Sequence, residues 1–114
     1  MDVFFSHKTA RQQYSLEFKS KWKYPDVVKL KLVATINLIN RATSLQDIIC
    51  YKPFHFHKLQ GKRKDEWSIY LGKTGYRITC IPCDNMGNII CGDIMFRQKS
   101  IQAIKVTGVT NHYE

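Results

Sequence analysis

The sequence predicts an α+β domain: two N-terminal antiparallel helices packed on one face of a twisted antiparallel sheet. Three observations predict it. Apolar residues recur at helical spacing up to about residue 49, the period drops to two after Pro53, and short turns rich in Gly, Asp and Asn separate the later segments. A chain of 114 residues has the size of one domain, here 1–114, with enough apolar content for a modest core. No repeat, low-complexity tract or linker divides it.

The elements follow in order. Val3-Phe4-Phe5 reads as a short edge strand. Ser6 or Thr9 can cap a first helix reaching about Trp22, because Ala10, Tyr14, Phe18 and Trp22 recur every four residues as an apolar stripe. Lys23-Tyr24-Pro25-Asp26 then turns the chain. Pro25 suits the first turn of a second helix, where its missing N–H would have no partner anyway. Val28, Val33 with Leu32, Ile36 and Ile39 give that helix a buried face to about Arg41. Ser44 can cap a short turn, Leu45 to Ile49. Glu66–Leu71 and Tyr76–Cys83 read as strands joined by Gly72-Lys73-Thr74-Gly75. Asp84-Asn85-Met86-Gly87 is a hairpin signal leading into a strand at Asn88–Phe96, and Ile101–Thr110 completes the meander.

Charge narrows the function classes. The net charge of +9 is spread along the chain, with nine Lys/Arg against four acids in residues 1–53 and nine against five in residues 54–114. That spread excludes a basic tail as its source. It leaves a folded domain attractive to phosphates, anionic membranes or an acidic partner. No stretch approaches the ~20 apolar residues of a membrane helix. The start, Met1-Asp2-Val3-Phe4-Phe5, has an acid and no basic n-region, so a cytoplasmic protein with four reduced cysteines is expected.

Phe54–Arg77 concentrates the chemistry. His55 and His57 have i, i+2 spacing, so in an extended segment both rings face one way, with Phe54 and Phe56 on the other side. They precede four cations, Lys58, Lys62, Arg63 and Lys64, in a loop loosened by Gly61. Fixed cations suit a phosphodiester whose charge grows during reaction. A solvated turn between helix and sheet would carry the same lysines. Trp67, Tyr70 and Tyr76 lie beside this loop and can stack on a splayed base, with Tyr76, next to Arg77, the foremost candidate. The two histidines lack third and fourth ligands for a metal site. Cys80-Ile81-Pro82-Cys83 matches C-x-x-C, but its cysteines have opposite parity on a strand and no second pair completes a zinc knuckle. No metal and no cofactor are expected.

The run HKLQGKRKDEWSIYL…GYRI (His57 to Ile78) and the closing VTNHYE resemble the HigB branch of the RelE/ParE bacterial toxins. The proline-started second helix and the Ser44-Leu45-Gln46-Asp47 turn are similar as well. The resemblance implies the RelE/ParE-like toxin fold and a type II toxin–antitoxin system with a helix-turn-helix, HigA-like antitoxin, through which alone operator DNA would be contacted. It implies an endoribonuclease that cuts mRNA on the ribosome without metal, by attack of the 2′-oxygen on the adjacent phosphate. By position, Arg77 would stabilise the pentacoordinate phosphate and His57 would orient RNA or transfer protons. Lys62, Arg63 and Lys64 would hold RNA, with Lys58, His55, Tyr76 and Asn111 around them. The commoner family ending is Asp-Tyr-His, whereas this chain has Asn111-His112-Tyr113. Either His112 or Tyr113 is then the acid or base, and aligning Asn111 with the acid favours Tyr113. Two alternatives stay open: a ParE-like inhibitor of DNA gyrase on the same scaffold, and a non-catalytic relative that binds RNA or protein.

Overall fold

One strand, Arg77–Cys83, is buried on both faces, and the other elements are arranged around it. The computed structural model describes residues 1–5, 24–61 and 65–111. The expected first helix to Trp22, the loop cations Lys62, Arg63 and Lys64, and His112 and Tyr113 lie outside these residues. The described elements are β1 (Asp2–Phe5), α1 (Asp26–Arg41), α2 (Leu45–Cys50), a 3₁₀ turn (Lys52–Phe54), β2 (His57–Lys58), β3 (Trp67–Tyr70), β4 (Arg77–Cys83), a second 3₁₀ turn (Met95–Arg97) and β5 (Ala103–Thr110). This is an α+β architecture. No helix among the described residues is long and apolar enough to cross a membrane.

The five strands form one sheet in the order β1-β5-β4-β3-β2. The sheet is mixed, which corrects the antiparallel expectation. β1 runs parallel to β5, in register from Asp2 opposite Ala103 to Phe5 opposite Val106. Parallel neighbours need a long crossover, and the elements between β1 and β5 supply it. The remaining pairs are antiparallel.

Alternation sorts the side chains into two faces. Ile69 on β3, Ile78 and Cys80 on β4, and Ile104, Val106 and Val109 on β5 share the core with Val28, Leu32, Ile36 and Ile39 of α1 and Leu45 and Ile48 of α2. The helices close this face. α1 starts directly after Pro25, whose carbonyl accepts from the amides of Val28 and Lys29. At its other end the N-terminal ammonium of Met1 donates to the carbonyls of Ile39, Asn40 and Ala42, placing a positive charge at the negative end of the helix dipole. The outer side of α1 is apolar too: Val27, Leu30 and Leu38 are exposed there.

The expected strand Asn88–Phe96 does not form. Asp84–Asn88 makes the turn that the sequence signals: Asp84 Oδ1 accepts from the backbone amides of Met86 and Asn88, each at 2.9 Å. Only Ile89 then bridges back to Cys83. Gly92 takes φ 99°, and Asp93 accepts from the Phe96 amide to start the second 3₁₀ turn. A left-handed glycine followed by a capping aspartate ends extended structure. The edge of β4 is therefore free to receive β5.

Two predictions follow from this packing. Ile36→Ala removes a fully buried side chain between α1 and the sheet and should cost about 2–5 kcal/mol in urea unfolding. Leu38→Ala, on the exposed side, should cost far less. Bonds from the amides of Asn88 and Met86 hold the Asp84 carboxyl below the usual carboxylate range. A depressed carboxyl stabilises the fold above its unfolded pKa, and that contribution is lost as pH falls through the folded value. Asp84→Ala should accordingly lower the melting temperature at pH 7, and the gap from wild type should close on acidification.

Candidate functional site

The second face of the sheet is polar, and it builds up from the same alternation. Pairing His57 with Ser68, and Ser68 with Thr79, makes one row across β2, β3 and β4. Pairing Tyr70 with Arg77, and Arg77 with Thr110, makes the next. Directly opposed residues on one face have Cβ atoms about 4.5–5.5 Å apart. The rows thus gather an imidazole, a phenol, a guanidinium and several hydroxyls.

Arg77 is only 4% exposed, while Ser68 and Thr79 are fully buried. A guanidinium away from water interacts with an anion more strongly than a solvated lysine does. The β4–β5 ladder carries a bulge here. Thr79 pairs with Gly108 and Cys80 with Val106, so Thr107 is the extra residue. The Thr107 hydroxyl donates to Glu66 Oε1. Having spent its hydrogen there, it accepts from Thr79 Oγ1 at 2.8 Å. Bulges re-aim side chains in this way next to functional sites. The result is a carboxylate, Glu66, fastened through two threonines beside the Arg77 strand.

At the sheet edge the two histidine rings meet beside Tyr70, though not through the extended backbone that i, i+2 spacing presumes: His55 takes φ 45° and β2 begins only at His57. Their ring centroids are 5.2 Å apart, and His55 and His57 lie 4.8 and 5.9 Å from the ring of Tyr70. Phe56, between them, turns the other way and stacks on Trp67 at 4.8 Å with 7° between the planes. His57 Nδ1 lies 2.8 Å from the His55 carbonyl oxygen.

Tyr76 has the opposite parity to Arg77. It packs against the core and meets Tyr24 edge-on at 5.0 Å, while the Tyr24 hydroxyl donates to the Val109 carbonyl. The aromatic ring brought to Arg77 is Tyr70. Lys58 is exposed and pairs with Trp67, so it alternates away from His57. Asn111 is exposed and directly follows Thr110, the partner of Arg77, so the end of β5 meets the Tyr-Arg strand. Lys62, Arg63, Lys64, His112 and Tyr113 lie outside the described residues.

Glu66, Ser68, Thr79 and Thr107 were not singled out by the sequence reading. The signal for three of them was available, because Glu-x-Ser-x-Tyr and Arg-x-Thr alternate against Trp, Ile, Leu, Ile and Cys. Thr107 had no such signal, since its side chain joins the group only through the bulge. Cys80 and Cys83 face opposite sides of β4, and both are fully buried. Among the described residues no group of three His, Cys, Asp or Glu side chains converges to hold a metal ion.

No protein-family model, curated protein or solved structure matches this chain.

Burial pushes the Cys80 thiol far up, with the Glu66 carboxylate and Cys83 adding to the effect, and burial raises Cys83 as well. Thiolate is the reactive form. A thiol reagent at neutral pH should therefore label the exposed Cys50 and Cys91 quickly. Cys80 and Cys83 should react only after denaturant is added, as peptide mapping of the labelled protein would reveal.

Proposed function

We propose that this chain is the toxin of a type II toxin–antitoxin system, a HigB-like endoribonuclease of the RelE/ParE class that cuts mRNA on the ribosome. The observation that carries the reading is Arg77, a buried guanidinium on a polar sheet face, opposite Tyr70, whose ring in turn meets the histidine pair. Phosphodiester cleavage by an internal 2′-hydroxyl needs few parts. A cation must stand where negative charge develops on phosphorus, and a base must take the hydroxyl proton. Arg77 supplies the first. Its five fixed donors match the equatorial oxygens of a pentacoordinate phosphate better than a lysine would. Tyr70 and the exposed His55 ring offer flat faces on which a splayed base can stack. The net charge of +9 adds general attraction to RNA. The proposed partners are the ribosome with its bound message and an antitoxin of the helix-turn-helix kind.

Arg77→Gln tests the reading. Losing a fixed cation at the transition state is worth on the order of 3 kcal/mol, about a hundredfold in rate. Induced wild type should stop growth and cut translated message, and the variant should do neither at equal expression with a cooperative melting transition retained. Full toxicity from folded Arg77→Gln would remove the guanidinium from the mechanism. A DNA-damage response with intact message would replace the reading by gyrase poisoning.

A further inference from the structure

We propose that the 3₁₀ turn around Phe96 is a contact for single-stranded nucleic acid, remote from Arg77: the Phe96 ring stacks on an unpaired base while Arg97 and Lys99 bind the phosphates beside it. The contact does not rest on the endonuclease reading. The Phe96 ring is 89% exposed, more than any other large apolar side chain among the described residues. Single exposed apolar residues are ordinary on protein surfaces. Phe96 differs from those in how it is held, in the charge around it and in its place on the sheet.

The turn is bonded throughout, and still it leaves the ring in water. Ile94 and Ile101 anchor its two ends in the core. Asp93 Oδ1 accepts from the Phe96 amide at 3.3 Å, and Gln98 Nε2 donates to the Met95 carbonyl at 2.9 Å. The Arg97 carbonyl accepts from the Ser100 amide, the Ser100 hydroxyl and the Ile101 amide. The amides of Leu45 and Gln46 donate to the carbonyls of Ile101 and Gln98, which ties the turn to α2. A platform ordered in advance loses less freedom on binding than a loose loop does.

Charge selects the ligand. Residues 94–113 contain Arg97, Lys99 and Lys105 and no acid, and the nearby Asp93 caps the Phe96 amide. Arg97 and Lys99 are both exposed. Side chains three residues apart line up along a 3₁₀ turn, and the bond from the Ser100 amide to Arg97 carries that spacing on, so Lys99 falls beside Phe96. Met86 supplies the contrast: it is 85% exposed, but its turn holds Asp84 and no cation. An aromatic face beside cations is what binds a single strand, because stacking accepts any base and the cations follow the backbone. The place makes this a separate contact. The turn leads into β5 at Ala103, opposite Cys83, whereas Arg77 starts β4 at the other end. The seven residues of β4 put roughly 20 Å between those ends, too far for one nucleotide to touch both. Stacking and phosphate contacts make no use of a 2′-hydroxyl, so DNA and RNA strands fit alike.

Two measurements test the contact. In the first, the photoreactive substitution Phe96→p-benzoylphenylalanine is irradiated with a labelled single-stranded RNA dodecamer. It should crosslink, a single-stranded DNA dodecamer should compete, and Met86→p-benzoylphenylalanine should give at least about tenfold less product. Equal yields at the two positions, or none at 96, overturn the proposal. The second is binding of a labelled single-stranded DNA dodecamer, followed by anisotropy over a range of salt. Phe96→Tyr keeps a ring that can stack and should bind like wild type, whereas Phe96→Leu should bind about tenfold more weakly. The double variant Arg97→Gln, Lys99→Gln should flatten the slope of log K against log salt by about 1.4, the share of two phosphates on a single strand. Melting temperatures should not change, because all three side chains are exposed. Wild-type affinity in Phe96→Leu marks the ring as an apolar anchor for a protein partner and overturns the proposal, as does an unchanged salt slope in the double variant. Crosslinking at position 96 should persist in Arg77→Gln, so this contact and the endonuclease reading fail separately.

Discussion

The double burial of β4 is the constraint on which the rest of this structure depends. A strand in mid-sheet has its backbone donors and acceptors committed to β3 and β5, so its side chains alone decide what each face becomes. Ile78 and Cys80 commit one face to the helices. Arg77 and Thr79 commit the other to polar chemistry. Neither set could be moved by one residue without sending a guanidinium into the apolar core.

Stability and site are coupled through that strand. The helix-facing side gathers fully buried aliphatic residues from five elements and resists rearrangement, as close-packed interiors do. It therefore holds the ladder rigid beneath Arg77 and Thr79. The bulge in β5 uses this rigidity: one extra residue, Thr107, changes the aim of a hydroxyl while strand pairing resumes on both sides. Rigid elements make more exact sites than loops, which suits a reaction that depends on where charge and lone pairs point.

At the sheet edge the constraint is of another kind. β2 is two residues long, and the chain reaches it through a left-handed histidine. Packing fixes what a short edge strand could not. Phe56 is pinned to Trp67 on the core side, which turns His55 and His57 together toward Tyr70. Tyr70 thus links the guanidinium of the central strand to the histidine pair at the edge.

Much of this was legible in the amino-acid order. Period-two patterning located β3, β4 and β5, and the helical stripe from Val28 to Ile39 located α1. These readings succeed because they depend on local geometry, which repeats at fixed intervals. Three features were decided by tertiary structure. Residues 88–96 carry strand-like residues, yet β5 takes their place beside β4, because pairing partners are chosen by competition across the whole sheet. Thr107 joins Glu66 and Thr79 through a bulge that no periodicity announces. Tyr70, across the Gly72–Gly75 turn from Arg77, becomes its partner, while the adjacent Tyr76 turns to the core. The sequence by itself determined which residues alternate. Which rows they form across strands was decided by register, a property of pairs of segments that neither segment contains alone.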